Sequence, residues 1–115
     1  MKRGEIYWAD LTLRSGSEQT GRRPAIVVAH DSFNAIPTWR SIIVVPITGS
    51  TSQSRRGPTV VELPGSAAGL PKTSFAICHQ VTTVDRAKLT RRLGTLPPDL
   101  VREVEAALKA AMDLE

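Results

Sequence analysis

Two polar residues of the chain stand where apolar runs meet polar loops. Arg23 lies between the polar segment of residues 12–22 and the apolar run 24–29, and Thr48 directly follows the run 41–47. A guanidinium held at the base of a strand can pair with a phosphate and stabilise charge that develops there. A threonine hydroxyl can donate to a phosphate oxygen. The two residues are therefore candidates for phosphate chemistry.

Each of these residues also has a purely structural interpretation. Arg23 can form an ion pair with Glu18, and a threonine at the end of a strand commonly caps a turn. Residue type and position alone leave both interpretations open.

The remaining groups that can perform catalysis are few. His79 can act as a general acid or base near neutral pH, although a histidine that only packs within the fold is the commoner case. His30, next to Asp31, indicates a loop, and Cys78 lies in an apolar run typical of a buried thiol. With one cysteine and two histidines in the sequence, an all-protein zinc site is not expected. We predict no metal and no cofactor.

Positive charge is concentrated in the first half of the chain. Residues 1–58 contain eight Lys and Arg against four Asp and Glu, whereas residues 59–115 contain seven of each. A basic surface of this kind suits a phosphate backbone, because each neutralised phosphate releases a counterion. An ordinary basic surface is the alternative. The arginines on predicted loops are Arg14, Arg22, Arg23, Arg40, Arg55 and Arg56.

The hydrophobic pattern predicts short strands followed by one helix. Branched and aromatic residues indicate strands at 6–11, 24–29, 41–47, 59–63, 75–78 and 81–84. Pro24 is expected at the first residue of its strand, where the missing N–H costs least. Apolar residues then recur at steps of three and four after Pro97-Pro98-Asp99, which predicts a C-terminal helix packed on the strands. Residues 64–72 are expected to form only a turn.

Few helices separate these strands, so the pattern favours an α+β fold: a small antiparallel β-barrel or half-barrel with a C-terminal α-helix. We expect one domain over residues 1–115. No apolar run approaches the ~20 residues that span a bilayer, and the N-terminus has no signal-peptide pattern. A cytoplasmic protein with no membrane partner is the expectation.

The ordered set of short motifs resembles the MazF/PemK family of toxin endoribonucleases from toxin–antitoxin pairs, over nearly the whole chain. The matching blocks are Arg3-Gly4-Glu5-Ile6-Tyr7, Gly16-Ser17-Glu18-Gln19, Gly21-Arg22-Arg23-Pro24-Ala25-Ile26-Val27-Val28, Val45-Pro46-Ile47-Thr48, Val61-Glu62-Leu63-Pro64, Gly69-Leu70-Pro71-Lys72-Thr73-Ser74, Gln80-Val81-Thr82-Thr83-Val84-Asp85 and Leu93-Gly94-Thr95-Leu96.

This resemblance implies an SH3-like barrel, a homodimer, and sequence-specific cleavage of single-stranded RNA without a metal. It implies that Arg23 and Thr48 are the catalytic pair. The 2′-hydroxyl next to the scissile bond attacks phosphorus and leaves a 2′,3′-cyclic phosphate and a 5′-hydroxyl. Arg23 neutralises the developing charge and Thr48 holds a phosphoryl oxygen. The general base is not assigned.

The resemblance also places the RNA path along the loops at 12–22 and 49–58. The expected substrate-binding residues are Ser17, Glu18, Gln19, Arg22, Arg55, Arg56, His79 and Gln80. Two positions depart from the family pattern. His30 stands where asparagine is frequent before Asp31, and His79 stands where an acidic residue often precedes Gln80. Either can alter base preference.

The resemblance implies an antitoxin partner whose acidic C-terminal segment covers the basic groove. Two other functions remain open. One is a non-enzymatic toxin of the same fold that poisons DNA gyrase, for which Arg23 and Thr48 are not needed. The other is a catalytically silent RNA-binding module, which predicts salt-sensitive RNA binding without new RNA ends.

Overall fold

Seven β-strands and two α-helices form the described part of the chain, residues 1–11, 21–50 and 57–115, in the computed structural model. The strands are β1 (Glu5–Asp10), β2 (Arg22–Val27), β3 (Ser41–Thr48), β4 (Val60–Leu63), β5 (Ser74–Ile77), β6 (Thr82–Asp85) and β7 (Leu89–Thr95); the helices are α1 (Asp31–Asn34) and α2 (Pro98–Met112). Short 3-10 helices at Gly57–Thr59, Ala67–Gly69, Cys78–Gln80 and Arg86–Lys88 complete the connections.

Strand β3 is the centre of the sheet. It pairs with β2 along one edge, while its other edge pairs with β6 over its first half and with β5 at its last two residues. All pairings are antiparallel, and the strand order among the described residues is β4-β5-β3-β2-β1-β7. The described strands thus form an open, barrel-like sheet, which confirms the predicted α+β class.

The central strands are buried on both faces over residues 25–27 of β2 and 44–48 of β3. Ile26 and Val45 belong to a core cluster with α2, whereas Val27 and Val44 belong to a second cluster. Neighbouring residues of a strand point to opposite faces, so both faces of β2 and β3 need apolar side chains. This two-sided burial explains why their sequences are continuous apolar runs rather than alternating ones.

Helix α2 begins and packs as the sequence predicts. Pro98 occupies the first turn, and Leu100, Val104, Ala107 and Leu108 are buried against the sheet. Near the N-terminus of the chain, Arg3 Nη1 donates to Glu105 Oε2 of α2 at 2.5 Å. Among the described residues, no helix has the length and apolar character of a membrane span.

Two features of the sheet differ from the prediction. Strand β7 was not predicted, because most of its residues are exposed and it contains Arg91, Arg92 and Gly94. Among the described strands, β7 pairs with β1 alone and stands at the end of the strand order. Pro24 is the third residue of β2 rather than the first. It lies opposite Trp8 of β1, and the hydrogen-bonded pairing of β2 with β3 starts one residue later.

The connector of residues 64–72 is more than a turn. Its 3-10 helix Ala67–Gly69 packs directly on β7. A Cβ at Gly69 would overlap the Leu93 carbonyl, and a Cβ at Gly94 would overlap the carbonyl of Ala68. Gly69 also has a φ of +81°, which glycine adopts without strain. Both glycines therefore permit a backbone-to-backbone approach that any side chain would block.

Candidate active site

The register of β2 and β3 brings Arg23 and Thr48 face to face. Ala25 pairs with Pro46, and extending the same register by two residues places Arg23 opposite Thr48. Arg23 Nη1 donates to Thr48 Oγ1 at 3.5 Å, a long hydrogen bond. Two residues that are far apart in the sequence therefore present a guanidinium and a hydroxyl where β2 begins and β3 ends.

Thr48 is buried and hydrogen-bonded at this position. The residue is only 4% exposed, and its Oγ1 also accepts the Ser50 N–H at 3.2 Å. A hydroxyl oxygen has two lone pairs and one proton. The N–H groups of Ser50 and Arg23 use the two lone pairs, so the hydroxyl proton is directed away from both. Thr48 thus caps a turn, and neither of these two contacts uses its hydroxyl proton.

The two consecutive arginines of β2 diverge. Arg22 lies opposite Asp10 of β1 and is exposed, whereas Arg23 is half-buried. Because consecutive strand residues point to opposite faces, the side chain of Arg22 leaves the face opposite to that of Arg23. The structure brings Arg23 to Thr48 and directs Arg22 elsewhere.

His79 and Gln80 lie on the 3-10 helix Cys78–Gln80, which joins β5 to β6. The exposed His79 ring shares a hydrogen bond through Nδ1 with Thr59 Oγ1 at 2.8 Å. His79 is therefore a surface residue with a partner, rather than a histidine packed inside the fold. Thr59 was not singled out from the sequence, since nothing in the spacing indicates that it meets His79.

Five of the predicted binding residues lie outside the described part of the chain. They are Ser17, Glu18, Gln19, Arg55 and Arg56, in the segments 12–20 and 51–56. The alternative ion pair of Arg23 with Glu18 also lies outside the described residues, because Glu18 belongs to the segment 12–20.

Lys72 also reaches this end of β3. A Cβ built on Gly49, the residue after Thr48, would lie 2.5 Å from Lys72 Cε and 3.0 Å from Nζ. This proximity could not be predicted from the sequence, because Lys72 belongs to the connector before β5 and only the pairing of β5 with β3 brings the two segments together.

Burial makes Cys78 an inert thiol. The residue is fully buried, and burial raises its pKa to about 12. Its Sγ lies 3.9 Å from the Val104 carbonyl oxygen of α2. A thiolate is required for nucleophilic attack, so Cys78 acts as a small apolar residue, as the sequence predicted. His30 likewise has a local role, because its Nδ1 accepts the Ser32 N–H at the start of α1.

Carboxyl groups with shifted pKa values lie away from Arg23 and Thr48. Burial opposes ionisation of Glu5, but hydrogen bonds from the Lys2 N–H at 2.6 Å and from Arg92 at 3.0 Å leave its pKa lowered overall. The side chain of Asn34 and the N–H of Arg3 lower the pKa of Asp31. These groups stabilise the fold rather than the site.

Within residues 1–11, 21–50 and 57–115, no cluster of three or more His, Cys, Asp or Glu side chains is arranged to hold a metal ion. The described groups that can meet a ligand near Thr48 are a guanidinium, a hydroxyl and an ammonium. This donor set suits an anion with several oxygen atoms, such as a phosphate.

A small open barrel with a C-terminal helix and an arginine–threonine pair at one strand end defines a recognisable class of protein. The family model that matches residues 2–112 is described as a PemK-like, MazF-like toxin of type II toxin–antitoxin systems. Endoribonuclease MazF2 of Mycobacterium bovis and Endoribonuclease MazF6 of Mycobacterium tuberculosis are each 36% identical over 114 residues, covering 99% of this chain and 98% of theirs. The chain belongs to this toxin family, which confirms the resemblance found in the sequence.

Solved structures agree on the fold. MazF from Deinococcus radiodurans superposes with a TM-score of 0.80 at 24% identity, over 99% of this chain and 97% of that one. A mycobacterial endoribonuclease in complex with its cognate antitoxin also has a TM-score of 0.80, at 23% identity, over 100% of this chain and 97% of its own.

Proposed function

We propose that the protein is the toxin of a toxin–antitoxin pair and a sequence-specific, metal-independent endoribonuclease. It cleaves single-stranded RNA by attack of a 2′-hydroxyl on the adjacent phosphorus. The observation that carries the proposal is the placement of Arg23 Nη1 3.5 Å from Thr48 Oγ1 at the end of β3. Membership of the PemK-like, MazF-like family supports the same assignment.

The proposed reaction is a transfer of the phosphorus from one oxygen to another. The 2′-oxygen loses its proton and bonds to phosphorus, while the bond from phosphorus to the 5′-oxygen breaks and that oxygen gains a proton. The products are a 2′,3′-cyclic phosphate and a 5′-hydroxyl. Negative charge grows on the non-bridging oxygens in the transition state, and fixed donors aimed at these oxygens lower the barrier.

Arg23 and Thr48 supply these donors in the proposed mechanism. Arginine is a poor proton acceptor, so we assign Arg23 to the stabilisation of charge and leave the general base unassigned. The hydroxyl proton of Thr48 is directed to a non-bridging oxygen, since Ser50 N–H and Arg23 occupy its lone pairs. The turn that Thr48 caps keeps this donor in place before the substrate arrives.

Base recognition is assigned to the residues that the family resemblance places along the RNA path. Single-stranded RNA is read through splayed bases that are hydrogen-bonded at their edges and stacked on rings or guanidiniums. Only 4% of the residues are aromatic, so arginines are the expected stacking partners. The proposed binding residues are Ser17, Glu18, Gln19, Arg22, Arg55, Arg56, His79 and Gln80. Arg22 leaves the sheet on the face opposite to that of Arg23, so its proposed contact is with RNA beyond the phosphate that Arg23 and Thr48 hold.

The proposed partner is a cognate antitoxin whose acidic segment covers the basic groove and competes with RNA. One structural relative was solved in complex with its cognate antitoxin, and the net charge of +4 on this chain suits an acidic partner. We further propose a homodimer that acts in the cytoplasm, where its RNA substrates are found.

The test is incubation of the purified protein with a long single-stranded RNA in EDTA, alongside the Arg23→Ala variant. We expect discrete cuts with 5′-hydroxyl ends for the wild type and loss of these cuts in the variant. Mapping the new ends gives the recognised sequence. Intact RNA with the wild type, across a range of salt concentrations, would reject the catalytic proposal and leave a gyrase poison or a silent RNA-binding module. Cuts that vanish only in EDTA would reject metal independence.

A further inference from the structure

We propose that Lys72 is a third phosphate-binding side chain of this site, and that Gly49 leaves the space in which its stem lies. The inference rests on the proposed function and adds a residue for which neither the motifs nor the composition indicated a role. The ligand is the RNA backbone beside the phosphate held by Arg23 and Thr48.

The contact with Gly49 is close. A Cβ at this position would lie 2.5 Å from Cε, 3.0 Å from Nζ and 3.9 Å from Cδ of Lys72. The absence of a side chain at Gly49 therefore allows the lysine stem to lie flat on the backbone at the end of β3. Lysine stems commonly pack in this way while the ammonium stays in water.

The backbone of Lys72 is anchored on two sides. Ser74 Oγ donates to the Lys72 carbonyl at 2.9 Å, and the Gly65 N–H donates to Thr73 Oγ1 at 3.3 Å. A Cβ at Gly65 would lie 3.4 Å from the Lys72 Cα. The connector is thus fixed against its own turn, and the base of the Lys72 side chain has a defined position relative to β3.

These contacts place the ammonium near the proposed active site. Consecutive Cα atoms are 3.80 Å apart and a Cα–Cβ bond is about 1.5 Å, so Nζ lies within about 8 Å of the Thr48 Cα. Lys72 is exposed, and in the described part of the chain no carboxylate is paired with its ammonium. An RNA strand whose scissile phosphate lies at Thr48 would have a neighbouring backbone phosphate within reach of this ammonium.

The chemistry favours backbone binding over catalysis or base reading. An ammonium is a compact point charge with three rotatable donors, which suits a phosphate in any sequence context. Lys72 therefore contributes to RNA affinity equally for different sequences and leaves the chemical step to Arg23 and Thr48.

The test compares Lys72→Met with the wild type and with Lys109→Met, an exposed lysine in the last turn of α2. Binding is measured with a strand that spans a mapped cleavage site and carries a 2′-O-methyl group at the attacking oxygen. Affinity falls as salt rises, and we expect Lys72→Met to make this slope of log affinity against log salt shallower by about 0.7. If the two proteins bind equally at 1 M salt, the variant then binds about fivefold more weakly than the wild type at 0.1 M salt. For cleavage of the unmodified RNA at 0.1 M salt, we expect Lys72→Met to raise KM about fivefold and to leave kcat unchanged. Lys109→Met should change neither KM nor kcat.

A neutral methylphosphonate placed at successive linkages locates the contact. We expect one linkage at which it weakens binding to the wild type but not to Lys72→Met. Equal affinity of Lys72→Met and wild type for every strand would overturn the proposal, as would a loss confined to kcat. Weaker inhibition by an acidic antitoxin peptide, with unchanged RNA binding, would assign Lys72 to the antitoxin instead and also overturn it.

Gly49→Ala tests how Lys72 is positioned. Among the described residues, the three atoms nearest to the new methyl group belong to the flexible end of the Lys72 side chain, so we expect the fold to be retained and the stem to move. We expect a loss of RNA affinity in the wild-type background and none in the Lys72→Met background. An equal loss in both backgrounds would contradict the proposed function of Gly49. The binding assay also separates this inference from the proposed function, because a protein that binds RNA without cleaving it still reports on Lys72.

Discussion

The proposed role of Thr48 joins a structural hydrogen bond and a ligand contact in one hydroxyl. Its oxygen accepts N–H groups from Ser50 and Arg23, and its proton remains for a third group. The sequence identified Thr48 and Arg23 as residues at strand ends. That they face each other depends on the register of β2 and β3, which long-range pairing sets and which local residue patterns do not reveal.

The hydrogen bond between Thr59 and His79 gives a prediction about specificity. We expect Thr59→Val to free the His79 ring and to change which bases flank the cleavage sites, while kcat on the best site stays within a few-fold. Sequencing the 5′ ends from one RNA pool measures this change. Thr59→Ser keeps the hydroxyl and should restore the wild-type pattern. An unchanged pattern in Thr59→Val and in His79→Ala would exclude His79 from base recognition.

The raised pKa of Cys78 gives a prediction about reactivity. A thiol with a pKa of about 12 is almost entirely protonated at pH 8, and its sulfur is also shielded. We expect a thiol reagent to modify the folded protein at least about 100-fold more slowly than the urea-unfolded chain. Cys78→Ala should retain RNA cleavage. Equal labelling rates in the two states would show that the thiol is accessible in the fold.

At the scale of elements, the packing of the connector on β7 depends on glycine. The carbonyl of Ala68 occupies the space where a Cβ of residue 94 would lie. We expect Gly94→Ala to lower the free energy of unfolding by about 1–3 kcal/mol, measured by urea denaturation, because overpacking forces the backbone apart. Thr95→Ala, at an exposed neighbouring position, should change it by no more than about 0.5 kcal/mol. Equal effects of the two substitutions would refute this account of the contact.

The sequence predicted most elements because their patterns are local. The apolar runs of β2 and β3 and the three- and four-residue steps of α2 were sufficient to place them. Strand β7 could not be predicted, because an exposed strand at the end of a sheet lacks an apolar pattern. The proximity of Lys72 to Gly49 could not be predicted either, because it arises only when β5 pairs with the end of β3. Local patterns define elements, whereas contacts between elements need the assembled sheet.

At the scale of the whole molecule, ionised carboxylates support the fold at neutral pH. Hydrogen bonds lower the pKa values of Glu5, Asp31 and Asp85 in the folded state. A lowered folded pKa contributes stability above the pKa of the unfolded chain, and this contribution is lost as the pH falls through the folded value. The free energy of unfolding should therefore decline below about pH 4, near the ordinary range of carboxyl groups.

Glu5→Gln tests the contribution of Glu5, the buried residue among these three carboxyl groups. Glu5 is 7% exposed and accepts hydrogen bonds from Lys2 and Arg92. We expect the variant to be about 1 kcal/mol less stable than the wild type at pH 7, with the two stability curves converging as the pH falls below 4. Urea unfolding at several pH values measures both curves. Glu103→Gln, on the exposed side of α2, is the matched control, and a constant difference at all pH values would contradict the role of Glu5.

Two core clusters stabilise the strands that carry Arg23 and Thr48. One core cluster binds α2 to the sheet and the second fills its other face, so β2 and β3 are fixed from both sides. Arg23 and Thr48 lie at the ends of these two packed strands. The central claim is that these two side chains act as a unit on one phosphate.

A double-mutant cycle of RNA cleavage under single-turnover conditions tests this claim most directly. The proteins are the wild type, Arg23→Ala, Thr48→Val and the double variant, with folding checked by urea denaturation. We predict that each single change lowers the cleavage rate by about 10²- to 10³-fold. The double variant should be little slower than the slower single variant, because residues that act as a unit are not additive. Rates that multiply independently, or a single variant with full activity, would contradict the claim.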